Sequence, residues 1–205
     1  MIPNPYADAP RLPEGQEIDL RAIVKGEGIE LEIGPGRGGF LFERARAAPE
    51  VALVGLEVRR KWARLVDDRL KKEGLGERAR VFAEDAKHAL ARVGPDGGVL
   101  RIFLHFPDPW WKKRHEKRRV MGDAFVAEAA RLLAPGGDLF FQTDVAERGE
   151  LYEREVSLSS AFVPAGDSES SARLSENPYG ARSPRERRAI EDGLPVYRFR
   201  FRKKL

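Results

Sequence analysis

The chain has 205 residues and a mass of 23.0 kDa, the size of one compact domain with small appendages rather than two full domains. With 41% hydrophobic and 34% charged residues and no cysteine, it excludes full-length disorder, a collagen-like repeat, disulfides, thiolate nucleophiles and cysteine-based metal sites. The net charge of +4 is unevenly spread: Lys112–Arg119 (KKRHEKRR) and Val196–Leu205 each carry +5, which leaves −6 for everything else. Such a local basic footprint suits a polyanionic partner.

The first segment, Met1 to Gly15, holds four prolines and reads as an extended arm, either disordered or folded over a site. Residues 1–27 are taken as the arm and lead-in, and 28–205 as the domain proper. The start lacks the basic stretch and apolar run of a secretory signal, and no segment is apolar for long enough to span a bilayer. A soluble, cytoplasmic protein is expected.

From Gly28 onward short apolar runs alternate with amphipathic ones. Ile29–Ile33 reads as a buried strand ending in the glycines 34, 36, 38 and 39, and Phe40–Ala48 as a helix stopped by Pro49. Val51–Glu57 is a second strand and Arg59–Lys72 a helix. Ala79–Ala83 is a third strand closed by Glu84 and Asp85, and Ala86–Arg92 a short helix. Val99–Phe106 is a fourth strand, broken by Pro107 and Pro109.

Asp123–Leu133 is helical up to Pro135-Gly136-Gly137. Asp138–Thr143 is a fifth strand and Glu147–Val156 a helix. Gly166–Pro184 is Ser-rich and loop-like, and a final strand shows as Tyr197, Phe199 and Phe201 alternating with Arg198, Arg200 and Arg202. The aromatics belong to the core; the arginines face the other way, as a solvated edge or a second patch for RNA. Alternating strands and helices imply a mainly parallel sheet with helices on both faces, an α/β domain.

The turn Glu32-Ile33-Gly34-Pro35-Gly36 leads from strand to helix, and its glycines let the backbone approach a ligand at a helix start. Glu57, 21 residues after Gly36, stands where a ribose-binding carboxylate belongs. A dinucleotide and S-adenosylmethionine both suit this arrangement. Glu32 favours the second, because a carboxylate at the strand mouth repels pyrophosphate and attracts an ammonium. Asp85, closing the third strand, is placed to take the adenine amino group. The three histidines, His88, His105 and His115, are too scattered for a metal site, and no metal is expected.

Phe106 to Arg119 is the most specific stretch. Asp108 stands between two prolines at the end of the fourth strand; Trp110 and Trp111 offer flat surfaces to a base; and the basic run offers phosphate contacts through Lys113, Arg114, His115, Lys117, Arg118 and Arg119.

Phe106-Pro107-Asp108-Pro109-Trp110, with Lys112, His115 and Lys117-Arg118-Arg119 behind it, resembles the signature block of the tRNA (guanine-N7)-methyltransferases. The Glu-x-Gly-x-Gly turn, Glu57, Asp85 and Thr143-Asp144 add to the likeness, which covers most of the chain after Gly28. The resemblance implies a Rossmann-like class I methyltransferase fold, with a seven-stranded, mostly parallel sheet whose last strand pair is antiparallel. It implies S-adenosylmethionine as cofactor, held by Glu32, Gly34, Gly36, Glu57, Asp85 and Asp108, with Asp108 catalytic. The substrate would be a variable-loop guanosine of tRNA, bound by Lys112 and Asp144 and by a Thr-x-(Phe/Tyr)-Glu motif, which falls here on Ser183-Pro184-Arg185-Glu186. Arg185 replaces the aromatic residue of that motif. Reading the residues without the resemblance also allows a dinucleotide oxidoreductase, an RNA-binding module, or a methyltransferase for proteins or small molecules.

Overall fold

A computed structural model describes residues 5–15, 17–107 and 119–205. Its main sheet is built from β2 (Ile29–Ile33), β3 (Ala52–Leu56), β4 (Ala79–Phe82), β6 (Val99–His105), β7 (Leu133–Thr143), β8 (Phe162–Pro164), β9 (Arg173–Leu174) and β10 (Tyr197–Lys203). Seven of these lie in the order β4-β3-β2-β6-β7-β10-β8, and β9 adds to β10 as an eighth. The five strands from β4 to β7 are parallel, whereas β10 runs antiparallel to β7, β8 and β9. The expected seven-stranded sheet is therefore present with one short addition.

After β2 the chain moves outward through β3 and β4, then crosses to the other side of β2 to form β6. The order reverses between β2 and β6, and a crevice opens beyond the carboxyl ends of strands at such a point.

Alternation along the strands sorts side chains between two layers. One face carries Leu31, Val54, Ile102, Phe141 and Phe199, covered by α4 (Asp123–Leu132) and α5 (Ala146–Ser157). On the other, Leu53 and Val81 pack under α1 (Gly39–Ala47) and α2 (Arg60–Lys72). The alternating aromatics of β10 do belong to the core, with Phe199 stacked on Phe141 at 4.9 Å between ring centres.

Next to the second apolar layer runs a buried polar stripe. Glu30 takes two bonds from Arg44, at 2.7 and 2.8 Å, and one from Arg101 at 2.6 Å. A carboxylate this deep is tolerable because its partners satisfy it. Arg198 belongs to the same stripe: it is buried and bonds the Glu186 carboxylate at 3.0 and 3.1 Å. It is thus neither a solvated edge nor an RNA contact, because burying a guanidinium requires an anion and Glu186 supplies it.

The lead-in packs onto the domain. Leu12, Ile18, Leu20 and Val24 are buried in the main cluster, and the short β1 (Ile18–Asp19) pairs with β5 (Val93–Gly94). Of the two alternatives for the arm, its described part folds over the sheet: the Ala83 amide donates to the Pro10 carbonyl at 2.6 Å, and Arg11 grips Glu84 at 3.0 and 3.3 Å.

The region after Gly166 is more ordered than its composition suggests. It holds β9 and a helix, α6 (Pro184–Glu191), that hydrophobic periodicity misses. Its start has a local cause: the Ser183 hydroxyl accepts from the Glu186 amide at 3.2 Å, and Pro184 takes the first helical position. Among the described residues no helix is long and apolar enough to cross a membrane.

Candidate active site

At the reversal point lies a crevice of about 610 Å³, within the usual range for a small-molecule site. Strand ends and the loops after them supply its walls: Gly34 and Gly36 after β2, Glu57 after β3, Glu84 and Asp85 after β4, and His105, Phe106 and Pro107 at the end of β6.

The glycine turn explains its own composition. Gly34 and Gly36 have φ of +69° and +55°, and a Cβ on either would meet no atom within 4 Å. Their backbone is therefore left-handed and their outer side is open, as a ligand in close approach requires. The Glu57 carboxylate is pinned across this turn. One oxygen accepts from the Gly36 amide at 2.9 Å and the other from the Arg59 amide at 2.8 Å. Each oxygen keeps a lone pair for a further donor. Asp85 caps α3 (Ala86–Ala89) through the Lys87 amide at 3.0 Å, and its side chain also faces the crevice.

Glu32 is placed differently. It is buried behind the wall, with Oε1 2.8 Å from His105 Nδ1, and His105 is the member of the pair that lines the crevice. Glu32 Oε2 and His105 Nε2 are buried with no hydrogen-bond partner among the described residues. Sequence reading treats His105 as an ordinary strand residue and so misses this pair, because its members lie 73 residues apart.

Phe106 carries φ of +46°, the one non-glycine residue with a positive φ among those described. Strain of this kind persists only where surrounding structure enforces it. Here the Phe106 amide donates to the Gln142 carbonyl at 2.8 Å, and the chain then turns toward Pro107.

The expected substrate residues divide. Asp144, just past β7, pairs with Arg185 of α6 at 2.6 Å, and the Arg185 guanidinium lies over the Phe106 ring. Ser183 and Glu186, expected in the substrate site, are turned inward. Ser183 caps α6, and Glu186 is fully buried, accepting from Arg198, from Gln142 at 2.9 Å and from Asn177 at 3.0 Å. They anchor the helix that carries Arg185.

Arg119, expected among the phosphate contacts, has its guanidinium bonded to Glu155 at 2.6 Å and to the Met121 carbonyl at 2.9 Å. Burial holds the Glu155 carboxyl above its ordinary value, against the pull of Arg119. Asp108, Lys112, Lys113, Arg114, His115, Lys117 and Arg118 lie outside the described residues, as do Trp110 and Trp111.

A parallel sheet with antiparallel β10, a glycine turn and acids after successive strands together define a Rossmann-like methyltransferase of class I. Solved structures agree on the fold. The 16S rRNA methyltransferase KamB superposes with a TM-score of 0.63 at 16% identity, over 91% of this chain and 91% of that one. TrmN from Thermus thermophilus gives 0.61 at 21% identity, over 90% of this chain and 46% of that one.

Sequence comparison narrows the class. A family described as putative methyltransferase matches residues 27–199. The tRNA (guanine-N(7)-)-methyltransferase of Myxococcus xanthus (strain DK1622) is 40% identical over 175 residues, 85% of this chain and 83% of the relative. That of Anaeromyxobacter dehalogenans (strain 2CP-C) is 42% identical over 176 residues, 85% of each chain. The chain belongs to the tRNA (guanine-N7)-methyltransferase family.

Proposed function

We infer that the protein methylates N7 of a guanosine in tRNA, with S-adenosylmethionine as methyl donor, and that the target lies in the variable loop. The observation that carries this reading is the open glycine turn with Glu57 fixed across it, at the strand reversal of a chain in this family.

The residues present fit the cofactor. Glu57 has capacity for two ribose hydroxyls, Asp85 for an adenine amino group, and the orphaned Glu32 Oε2 for an ammonium reached directly or through water. S-adenosylmethionine supplies a methyl group on a sulfonium centre.

Guanine N7 has a lone pair and no proton to lose, so the protein must align the purine rather than supply a strong base. The new N7–carbon bond forms as the sulfur–carbon bond breaks, and positive charge passes from sulfur to the purine. A carboxylate near the ring stabilises that charge and accepts from N1–H or the 2-amino group. We assign this task to Asp108, which follows the crevice residue Pro107 in sequence, and to Asp144, just past β7. Lys112, Lys113, Arg114, His115, Lys117 and Arg118 are assigned to the RNA backbone, and residues 28–205 to the catalytic domain.

Unmodified tRNA incubated with methyl-labelled S-adenosylmethionine and digested to nucleosides tests the reading. Label should appear as 7-methylguanosine. Label on another nucleoside atom, or transfer to protein or a small molecule in place of tRNA, would overturn it. A calorimetric titration should detect S-adenosylmethionine and no NAD(H).

A further inference from the structure

Among the described residues the crevice has a cationic rim. Arg37 follows the glycine turn, and Arg59, Arg60 and Lys61 lead into α2; all four are exposed. Trp62 stands half-buried among them, with the Arg37 guanidinium carbon 4.9 Å and the Lys61 ammonium 5.3 Å from its ring centre. Gly36 and Arg59, their chain neighbours, line the crevice. The patch therefore adjoins the β2–β3 side of the opening, across from Phe106 and Pro107.

Folding does not explain three of these cations, Arg37, Arg60 and Lys61. Both arginines further along α2 have carboxylate partners: Arg64 pairs with Asp8 and Asp68, and Arg69 with Glu73. Arg37, Arg60 and Lys61 form no ion pair among the described residues. The first turn of α2 contains no acid, so its two leading cations are opposed by the helix dipole. Trp62 offsets part of this by holding two of the cations against its ring. The result is a fixed positive surface that is unfavourable in the isolated chain and favourable against a polyanion.

We propose that Arg37, Arg60 and Lys61, the first and last of them held against Trp62, form a second contact surface for the tRNA phosphate backbone, in addition to the basic run. This rests on the reading of the protein as a tRNA methyltransferase. With this surface engaged, the RNA backbone is held beside the crevice, next to Gly36 and Arg59 of its wall.

The test is the salt dependence of tRNA binding by the full chain with Arg37→Gln, Arg60→Gln and Lys61→Gln combined. Each lost phosphate contact lowers the slope of log affinity against log salt by roughly 0.7 to 0.9. The triple variant should therefore lose about two units of slope and bind at least about tenfold more weakly near 0.1 M salt. Its S-adenosylmethionine affinity should match the parent, which shows that the domain is folded. A control combining Arg21→Gln, Lys25→Gln and Lys72→Gln, at the opposite end of the strands, should keep the parental slope. An unchanged slope in the first variant, or an equal loss in both, overturns the second contact surface. Parental methylation of tRNA is measured alongside: if it is absent the underlying reading fails, and if it is present with an unchanged slope only this surface fails.

Discussion

Arg185 Nη2 lies 2.6 Å from Asp144 Oδ2, and the same guanidinium is centred 5.8 Å from the Phe106 ring. The ends of β6 and β7 and the first turn of α6 thus meet beside Phe106, which lines the crevice. The pair is asymmetric, with the Arg185 side chain 64% exposed and that of Asp144 16%. A cation stands here in place of the aromatic residue expected from the family motif, and Asp144 holds it.

Replacing Arg185 with Ala should alter stability by less than about 1 kcal/mol, because the arginine side of the pair is open to water. The KM for tRNA should rise roughly three- to tenfold, the equivalent of one contact of about 1 kcal/mol. Lysine should restore part of the loss and S-adenosylmethionine binding should not change. Steady-state kinetics at saturating cofactor would measure this, and an unaltered KM would place Arg185 outside substrate recognition.

Glu186 should behave as an anchor. Glu186→Ala leaves the Arg198 guanidinium buried without its anion, a loss of about 3–5 kcal/mol. The melting temperature should fall by roughly 10 °C for a chain of this size. Ser183→Ala removes only the helix cap, about 1 kcal/mol, and should lower it by a few degrees. Thermal unfolding of both variants tests the ranking; equal, small shifts would contradict it.

Asp67 predicts a pH dependence. Burial alone would raise its pKa, but bonds from Arg80, Lys71 and the Val81 amide outweigh that and hold it below the ordinary 3.8. A carboxyl whose folded pKa is depressed adds stability that is fully present above the unfolded value and is lost as pH falls through the folded one. Asp67→Asn should therefore lower the melting temperature at pH 7, and the gap to the parent should narrow only below about pH 4. A gap that is constant down to pH 2 would exclude this contribution.

Glu57→Ala should weaken S-adenosylmethionine binding about 10- to 100-fold, the range expected for lost hydrogen bonds to a charged group. The variant also frees the Gly36 amide that fixes the turn. Calorimetric titration gives the ratio directly, and an affinity within twofold of the parent would remove Glu57 from the cofactor site.

Sequence reading placed four of the five parallel strands to within a residue at each end, because each is an apolar run punctuated by Gly, Pro or an acid. It located Glu57 and Asp85 on the crevice for the same reason. It started β7 at Asp138 where the strand begins at Leu133, because Pro135-Gly136-Gly137 reads as a break. It missed α6, whose buried residues are Glu186 and Ala189 among charged neighbours, so no apolar stripe marks it. The Ser-Pro-x-Glu start was the available signal, since a capping residue, proline and an acid three positions on specify a helix end. Glu32–His105, Arg119–Glu155 and Glu186–Arg198 stayed hidden because sheet register and packing join them, and pairing across the fold has no local signature.

The most direct test of methyl transfer to guanine N7 is chemical cleavage of the tRNA product. An N7-methylated guanosine is reduced by borohydride and the chain is then cut there by aniline. Treated tRNA should be cut at one variable-loop guanosine, and an Asp108→Ala reaction should yield uncut RNA while the variant still binds S-adenosylmethionine. Labelled tRNA that resists cleavage would contradict the assignment to N7, because the methyl group would then sit on another atom.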